Sequence, residues 1–197
     1  MAIRHYFFWS LIAVGIVWGM FGCRSVSQLR VNEHPVYLTD EHFFSLLPPS
    51  EIETPFEGAQ HLQGKYGDSE FEMEAWIKAS DSLISIHVFN ALGGTFAEIF
   101  YTEDSLTFSS RILDTEKQRP EYVIADFQLC YYRAGALKKN LETAGFIFEV
   151  HREGNTETRL LKSGEKTVIT IRKTPGELYY KNLWRGYEYR ILSEVRE

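Results

Sequence analysis

The 197-residue chain has only two cysteines, Cys23 and Cys130, too few for a disulfide framework. It has no basic surplus either. Its 21 lysines and arginines against 27 acidic residues leave a net charge of −6, which argues against a nucleic-acid partner, whose phosphates need neutralising. The spacings of metallohydrolases, serine hydrolases, dithiol redox sites and phosphate-binding loops are missing, and Gly93-Gly94 lacks the lysine and following helix of a phosphate loop. The histidines at 34, 42, 61, 87 and 151 are dispersed rather than set at metal-ligand spacing. With no nucleophile–base constellation, an enzyme is not expected, and no cofactor is called for. Strands and helices do not alternate, which excludes a parallel doubly wound sheet, and no repeat of solenoid length occurs. Aromatic residues, by contrast, are plentiful at 15%, and they suit half-buried pleated surfaces and apolar pockets.

The first 22 residues have the layout of an export signal: Arg4 near the start, then an uncharged run from Tyr6 to Gly22. The run is shorter than the ~20 residues that comfortably span a bilayer. No small-residue cleavage pattern follows. Gly22-Cys23 instead resembles the end of a bacterial lipobox, although Met20 and Phe21 are looser than the usual residues there. That resemblance implies lipidation at Cys23 and attachment to the cell envelope, with Arg24 in the next position favouring the periplasmic face of the outer membrane. Two or more acyl chains anchor a protein stably, whereas one does so marginally. The competing reading is an uncleaved helical anchor.

The rest of the chain reads as one mainly β domain with inserted helices. Residues 23–56, punctuated by Pro35, Pro48, Pro49 and Pro55, read as an acylated tether with one short helix from Asp40 to Leu47. The half-barrel domain is expected to span 57–197, and from Gly58 the period is two, interrupted over residues 111–144. Five strands are expected between Gln60 and Ser110, with SEFEMEAWIK the clearest example of one wet and one dry face. Five more are expected between Phe146 and Leu192. Between the two runs, Pro120 opens a helix, and Ala134, Leu137, Leu141 and Ala144 form the apolar stripe of a second helix ended by Gly145. Ten or eleven antiparallel strands tend to curl, so a curled sheet or open half-barrel with a helical lid is the expected architecture.

A few single residues carry chemistry. Glu70, Glu72 and Glu74 share one strand face, which is read as solvated rather than as an acid–base or calcium site. His87 reads as a hydrogen-bonded structural histidine and Cys130, in FQLCYY, as a buried small hydrophobe. Asp126 is unusual, an acid within an apolar helix. A buried pair with Arg133 is one reading, and a catalytic role another.

Three stretches carry a family resemblance: GKYGDSEFEMEAWIKASDSLISIHVFNALGGTF, YVIADFQLCYYR and KTPGELYYKNLWRGYEYRI. They are similar to uncharacterised bacterial outer-membrane lipoproteins related to the lipoprotein receptor LolB. The resemblance implies an open half-barrel whose concave apolar face accepts acyl chains beneath a helical lid. Phe71, Met73, Ile77, Ile84, Ile86, Val88, Ile99 and Phe108 would then line the cup. It also implies a membrane-inserting loop, for which Leu92 in Asn90–Thr95 is the counterpart. The same alternation would arise from an ordinary dry core, and Leu92 could equally fold back onto the sheet.

Two functions therefore compete, and a third, an enzyme acting on lipid through Asp126 or His87, lacks a nucleophile–base constellation. In one, a tethered cup takes an acylated ligand, either a lipid or a lipoprotein, from a periplasmic carrier protein and delivers it to the outer membrane. In the other, a solid-core lipoprotein binds a protein partner through its aromatic-rich last strands.

Overall fold

The computed structural model describes residues 25–30, 35–89, 93–115 and 118–193. The expected signal, Cys23 and Leu92 lie outside these residues. The first meander consists of β4 (Phe56–Tyr66), β5 (Ser69–Ala79), β6 (Ile84–Phe89), β7 (Thr95–Tyr101) and β8 (Ser105–Ser110). The second consists of β9 (Ile147–Glu153), β10 (Thr156–Ser163), β11 (Lys166–Thr174), β12 (Glu177–Asn182) and β13 (Tyr187–Ser193). Helices α1 (Pro120–Tyr131) and α2 (Ala134–Thr143) lie between the two runs. An additional strand, β1 (Ser25–Arg30), joins the outer edge of β8, and β2 (Val36–Tyr37) pairs only with β3 (Phe43–Phe44).

The large sheet runs β1-β8-β7-β6-β5-β4-β13-β12-β11-β10-β9, with every neighbour antiparallel. The last strand of the second meander thus pairs with the first strand of the first, and β4 and β13 weld the two runs at the centre, Tyr66 opposite Tyr187. β1 and β9 form the two edges, so the sheet is open rather than closed.

Alternation decides which face is dry. On β5, Glu70, Glu72, Glu74 and Lys78 are exposed, while Ala75, Ile77 and Ala79 are buried, with Phe71 and Met73 half-buried on the same face. Close packing at the weld requires Gly64. A Cβ there would stand 2.5 Å from the Phe71 ring and 2.6 Å from the carbonyl oxygen of Glu188.

Helix α1 crosses the inner face. Pro120 occupies its first turn, where a missing N–H costs nothing, and Glu121 suits the dipole there. It is buried on several sides, with Ile124, Ala125, Leu129 and Gln128 all inaccessible. A helix flanked on two sides should be apolar nearly all round. One flank faces the sheet; the other is covered by the segment from Val36 to Ile52. Helix α2 buries Leu137 and Leu141 and ends in a Schellman motif. Gly145 N–H donates to Glu142 O and Phe146 N–H to Leu141 O, with Gly145 at φ +88°.

The segment from Val36 to Ile52 corrects two expectations. The helix expected from Asp40 to Leu47 does not form, and residues 36–52 are not a loose tether. Thr39 and His42 close a turn, through His42 N–H donating to Thr39 Oγ1 and Leu38 N–H to His42 O, and β2 and β3 flank it as a miniature hairpin. Phe44 is inaccessible while Phe43 is exposed, which is strand alternation. Pro48 disfavours helical geometry at Leu47, and the backbone of Leu47 is taken instead by α1: Gln128 accepts from its N–H at 2.9 Å and donates to its carbonyl at 2.7 Å. Val36, Leu38, Phe44 and Ile52 enter the core, so residues 36–52 strap the helix to the sheet. β1 is a further departure, since residues 25–30 were read as part of the tether. Val26 on this edge strand is exposed.

Candidate functional site: an apolar cavity beneath the helix

The inner rows of the sheet do not meet α1 everywhere. Between them lies a cavity of about 350 Å³, walled by β4–β8, β13 and one side of the helix. Of the eight residues expected to line a cup, seven do so: Phe71, Met73, Ile77, Ile86, Val88, Ile99 and Phe108. Ile84 does not. It shares their parity but lies opposite Tyr101 at the far end of β6, fully buried, where Tyr101 donates to the carbonyl of Leu47 and the strap closes the core. Parity gives the face, and position along the strand gives the depth; only the first is periodic.

Arg119 and Val123 line the cavity while themselves exposed, which places its opening beside the first turn of α1. Tyr131, at the last turn, lines it as well. Eight residues at 1.5 Å rise separate Val123 from Tyr131, so the cavity runs about 12 Å along the helix.

Polar groups are few and grouped. Asp126, midway, accepts a hydrogen bond on each carboxylate oxygen, from Tyr180 at 2.5 Å and Tyr187 at 2.6 Å. Burial pushes its carboxyl up to about 6, against the opposing pull of the two phenols and of the Arg185 charge. Arg133, the partner suggested by the sequence, turns away and pairs with Glu51 at 2.8 Å. Helix geometry explains this: residues seven apart share a face but stand two turns apart, beyond the reach of a short aspartate. Tyr180, Tyr187 and Tyr189 stack across β12 and β13, with Tyr180 and Tyr189 at 4.7 Å and 6°. Burial holds all three phenols above their ordinary range.

At the deep end, Gln60 donates from Nε2 to the hydroxyl of Tyr131 at 3.0 Å. Its carbonyl oxygen is buried and has no partner. Among the described residues two other buried polar atoms share that condition, Glu121 Oε2 and Tyr132 Oη, but of the three residues only Gln60 lines the cavity. Cys130, one turn beyond Asp126, also lines it, and burial pushes its thiol up to about 12, an inert thiol rather than a nucleophile.

The helical roof is pinned at its C-terminal end by Arg159, which is wholly buried. Its Nη1 donates to the carbonyls of Leu129 and Tyr132, both at 2.9 Å, Nη2 to Glu53 at 3.0 Å and Nε to Glu157 at 2.7 Å. The cation thus caps carbonyls left without partners at a helix end and complements the dipole. Burial opposes the charge on Glu157, but Arg159 and Arg152 together bring its carboxyl down to about 2.

Gln60 and Arg159 escaped the sequence reading, and each left a trace in the strand parity. Gln60 alternates in phase with Leu62, and Arg159 with Leu161, so both are polar residues at inward positions. His87 sits on the opposite face, with Nε2 2.9 Å from Ser85 Oγ and Nδ1 3.5 Å from Glu98. Among the described residues, no group of three or more histidine, cysteine or acidic side chains is placed to hold a metal ion. No helix among them is long and apolar enough to cross a membrane.

Residues 57–194 match the model of a family described as a protein of unknown function, DUF3261. No curated protein matches the chain.

Proposed function

We propose that this chain, which belongs to the DUF3261 family, is a non-catalytic lipoprotein that binds one acyl chain in the cavity beneath α1. The cavity itself carries the reading. A solid-core interaction protein has no use for about 350 Å³ of apolar space opening beside a half-exposed helical turn. Such a cavity lies within the range of small-molecule sites. A methylene occupies about as much room as a water, roughly 30 Å³, so the space suits a single chain of about a dozen carbons. Burying such a chain at about 0.8 kcal/mol per CH₂ gives roughly 10 kcal/mol before the loss of translational freedom. The several kcal/mol lost on association leave binding that is firm but reversible, as a carrier needs.

In this reading Cys23 is acylated and holds the domain at the periplasmic face of the outer membrane. The open sheet is a half-barrel of the LolB kind with α1 as its lid. The ligand, a lipid or the acyl chain of a lipoprotein, arrives from a periplasmic carrier and passes to the membrane, with Leu92 as the inserting residue. The open antiparallel sheet and the apolar walls support this assignment. No chemistry is required of the protein.

The test is native mass spectrometry of the full chain, purified in a steroid detergent with no alkyl tail, followed by extraction of bound lipid. A co-purifying single-chain species is expected. Val88→Phe, which fills the cavity with an apolar ring, should keep the fold and lose the ligand. A wild-type chain that is empty and takes up no added twelve-carbon chain refutes the proposal.

A further inference from the structure

Gln60 is the clue to what the ligand's head must be. The residue is only 5% exposed, its carbonyl oxygen has no partner, and it lines the deep end of the cavity. A buried acceptor without a donor is costly, and of the three such atoms among the described residues Gln60 Oε1 is the one whose residue lines a cavity, where a ligand could supply the match. Its neighbour Tyr131 receives the Gln60 amide on its oxygen, which leaves the phenol's own proton to give. The deep end therefore presents one acceptor and one donor side by side, the complement of a hydroxyl.

The charges nearby favour the same head. Asp126 is the acid on the cavity wall, and both its oxygens already accept phenol protons. A second carboxylate passing it would meet like charge in an apolar setting. The cations near this region are already paired, including Lys173, whose ammonium lies 5.9 Å from the centre of the Tyr131 ring. Arg119 pairs with Glu121, Arg185 lies over the Tyr122 ring at 4.2 Å and donates to Tyr37 O, and Lys173 stands between Glu53 and Glu157. None of them is left to neutralise an anion at Gln60.

Resting on the acyl-chain reading above, we propose that the ligand enters head first and that its head is uncharged and donates a hydrogen bond, a hydroxyl or an amide N–H, to Gln60. A free fatty-acid carboxylate is discriminated against. The tail then points outward along α1 toward Arg119 and Val123.

The experiment uses the full chain in steroid detergent at pH 7.5 with two photolabels, dodecan-1-ol and dodecanoate, each carrying a diazirine at the terminal carbon. Peptide mapping after illumination reads both affinity and direction. The alcohol should label at a concentration at least tenfold below the acid, and its mark should fall near the opening, on peptides holding Leu113 or Val123. Gln60→Met should erase the preference. Should that variant fold poorly, Asp126→Asn supplies an independent reading, because it should gain labelling by the acid rather than lose anything. Equal or better labelling by wild type with the acid overturns the proposal, as does an alcohol mark at the deep end near Tyr131. Both results leave the acyl-chain reading standing. If neither probe labels a cavity residue, the acyl-chain reading itself fails, and this inference falls with it.

Discussion

Asp126 gives the sharpest quantitative test of the cavity wall. Its carboxyl is raised from 3.8 to about 6, chiefly by burial, while the hydrogen bonds from Tyr180 and Tyr187 and the charge of Arg185 hold it down from a still higher value. The folded protein therefore binds this proton more tightly than the unfolded chain does. Between about pH 4 and pH 6 the folded state carries the extra proton, so stability falls as pH rises through that window and then levels off. The difference of about two units corresponds to roughly 3 kcal/mol at 1.36 kcal/mol per unit, an upper bound because the cavity brings solvent near the carboxyl. Asp126→Asn abolishes the titration but weakens one of the two phenol contacts, at a cost of about 1 kcal/mol. The variant should thus be more stable than wild type by about 1–2 kcal/mol at pH 7.5 and no more stable at pH 4.5. Urea unfolding of both proteins, followed by tryptophan fluorescence every half unit from pH 4.5 to 8, measures the gap. A gap that stays constant across the range would show that Asp126 titrates as an ordinary carboxylate and that the burial argument is wrong.

Other outcomes follow from the same geometry. Arg159→Met should lower stability by about 3–5 kcal/mol in urea, because Glu157, Glu53 and two helix-end carbonyls lose their shared donor; a loss below 1 kcal/mol would contradict its role as the pin of α1. Gly64→Ala should cost about 1–3 kcal/mol in the same assay, since the added methyl meets backbone at Glu188 as well as the Phe71 ring. Cys130 should resist iodoacetamide in the folded protein at pH 8 and react once urea exposes it, as peptide mapping would show; rapid labelling without urea would mean the cavity wall opens readily.

Much of the architecture was already legible from residue order. Each expected strand between Gln60 and Leu192 is present, because an open antiparallel sheet with one wet face writes its period of two directly into the chain. Pro120 and Gly145 mark the helical interval for equally local reasons, a fixed φ at a helix start and a positive φ at a helix end. What failed was the stretch before the sheet. Phe43, Phe44 and Leu47 fit a helical face, yet Gln128, some eighty residues on, claims the backbone of Leu47 and draws the segment out as a strap.

The candidate site divides in the same way. The sequence alone determined which face is apolar and named seven of the cavity's walls, because parity is a property of neighbours along the chain. It singled out Asp126 as misplaced polarity and offered Arg133 as one possible partner, but Arg133 pairs with Glu51. Only the tertiary structure decided that Ile84 lies beyond the cavity, that Tyr180 and Tyr187 hold Asp126, and that Gln60 keeps an unmatched oxygen beside Tyr131. Each of these depends on groups 17 to 71 positions apart in the chain meeting across neighbouring strands or between the sheet and the helix. Whether facing apolar rows close into a core or leave a space is set by where one helix comes to rest, held by Gln128 on one side and Arg159 at its end. That placement is a balance of distant hydrogen bonds, which no local period encodes.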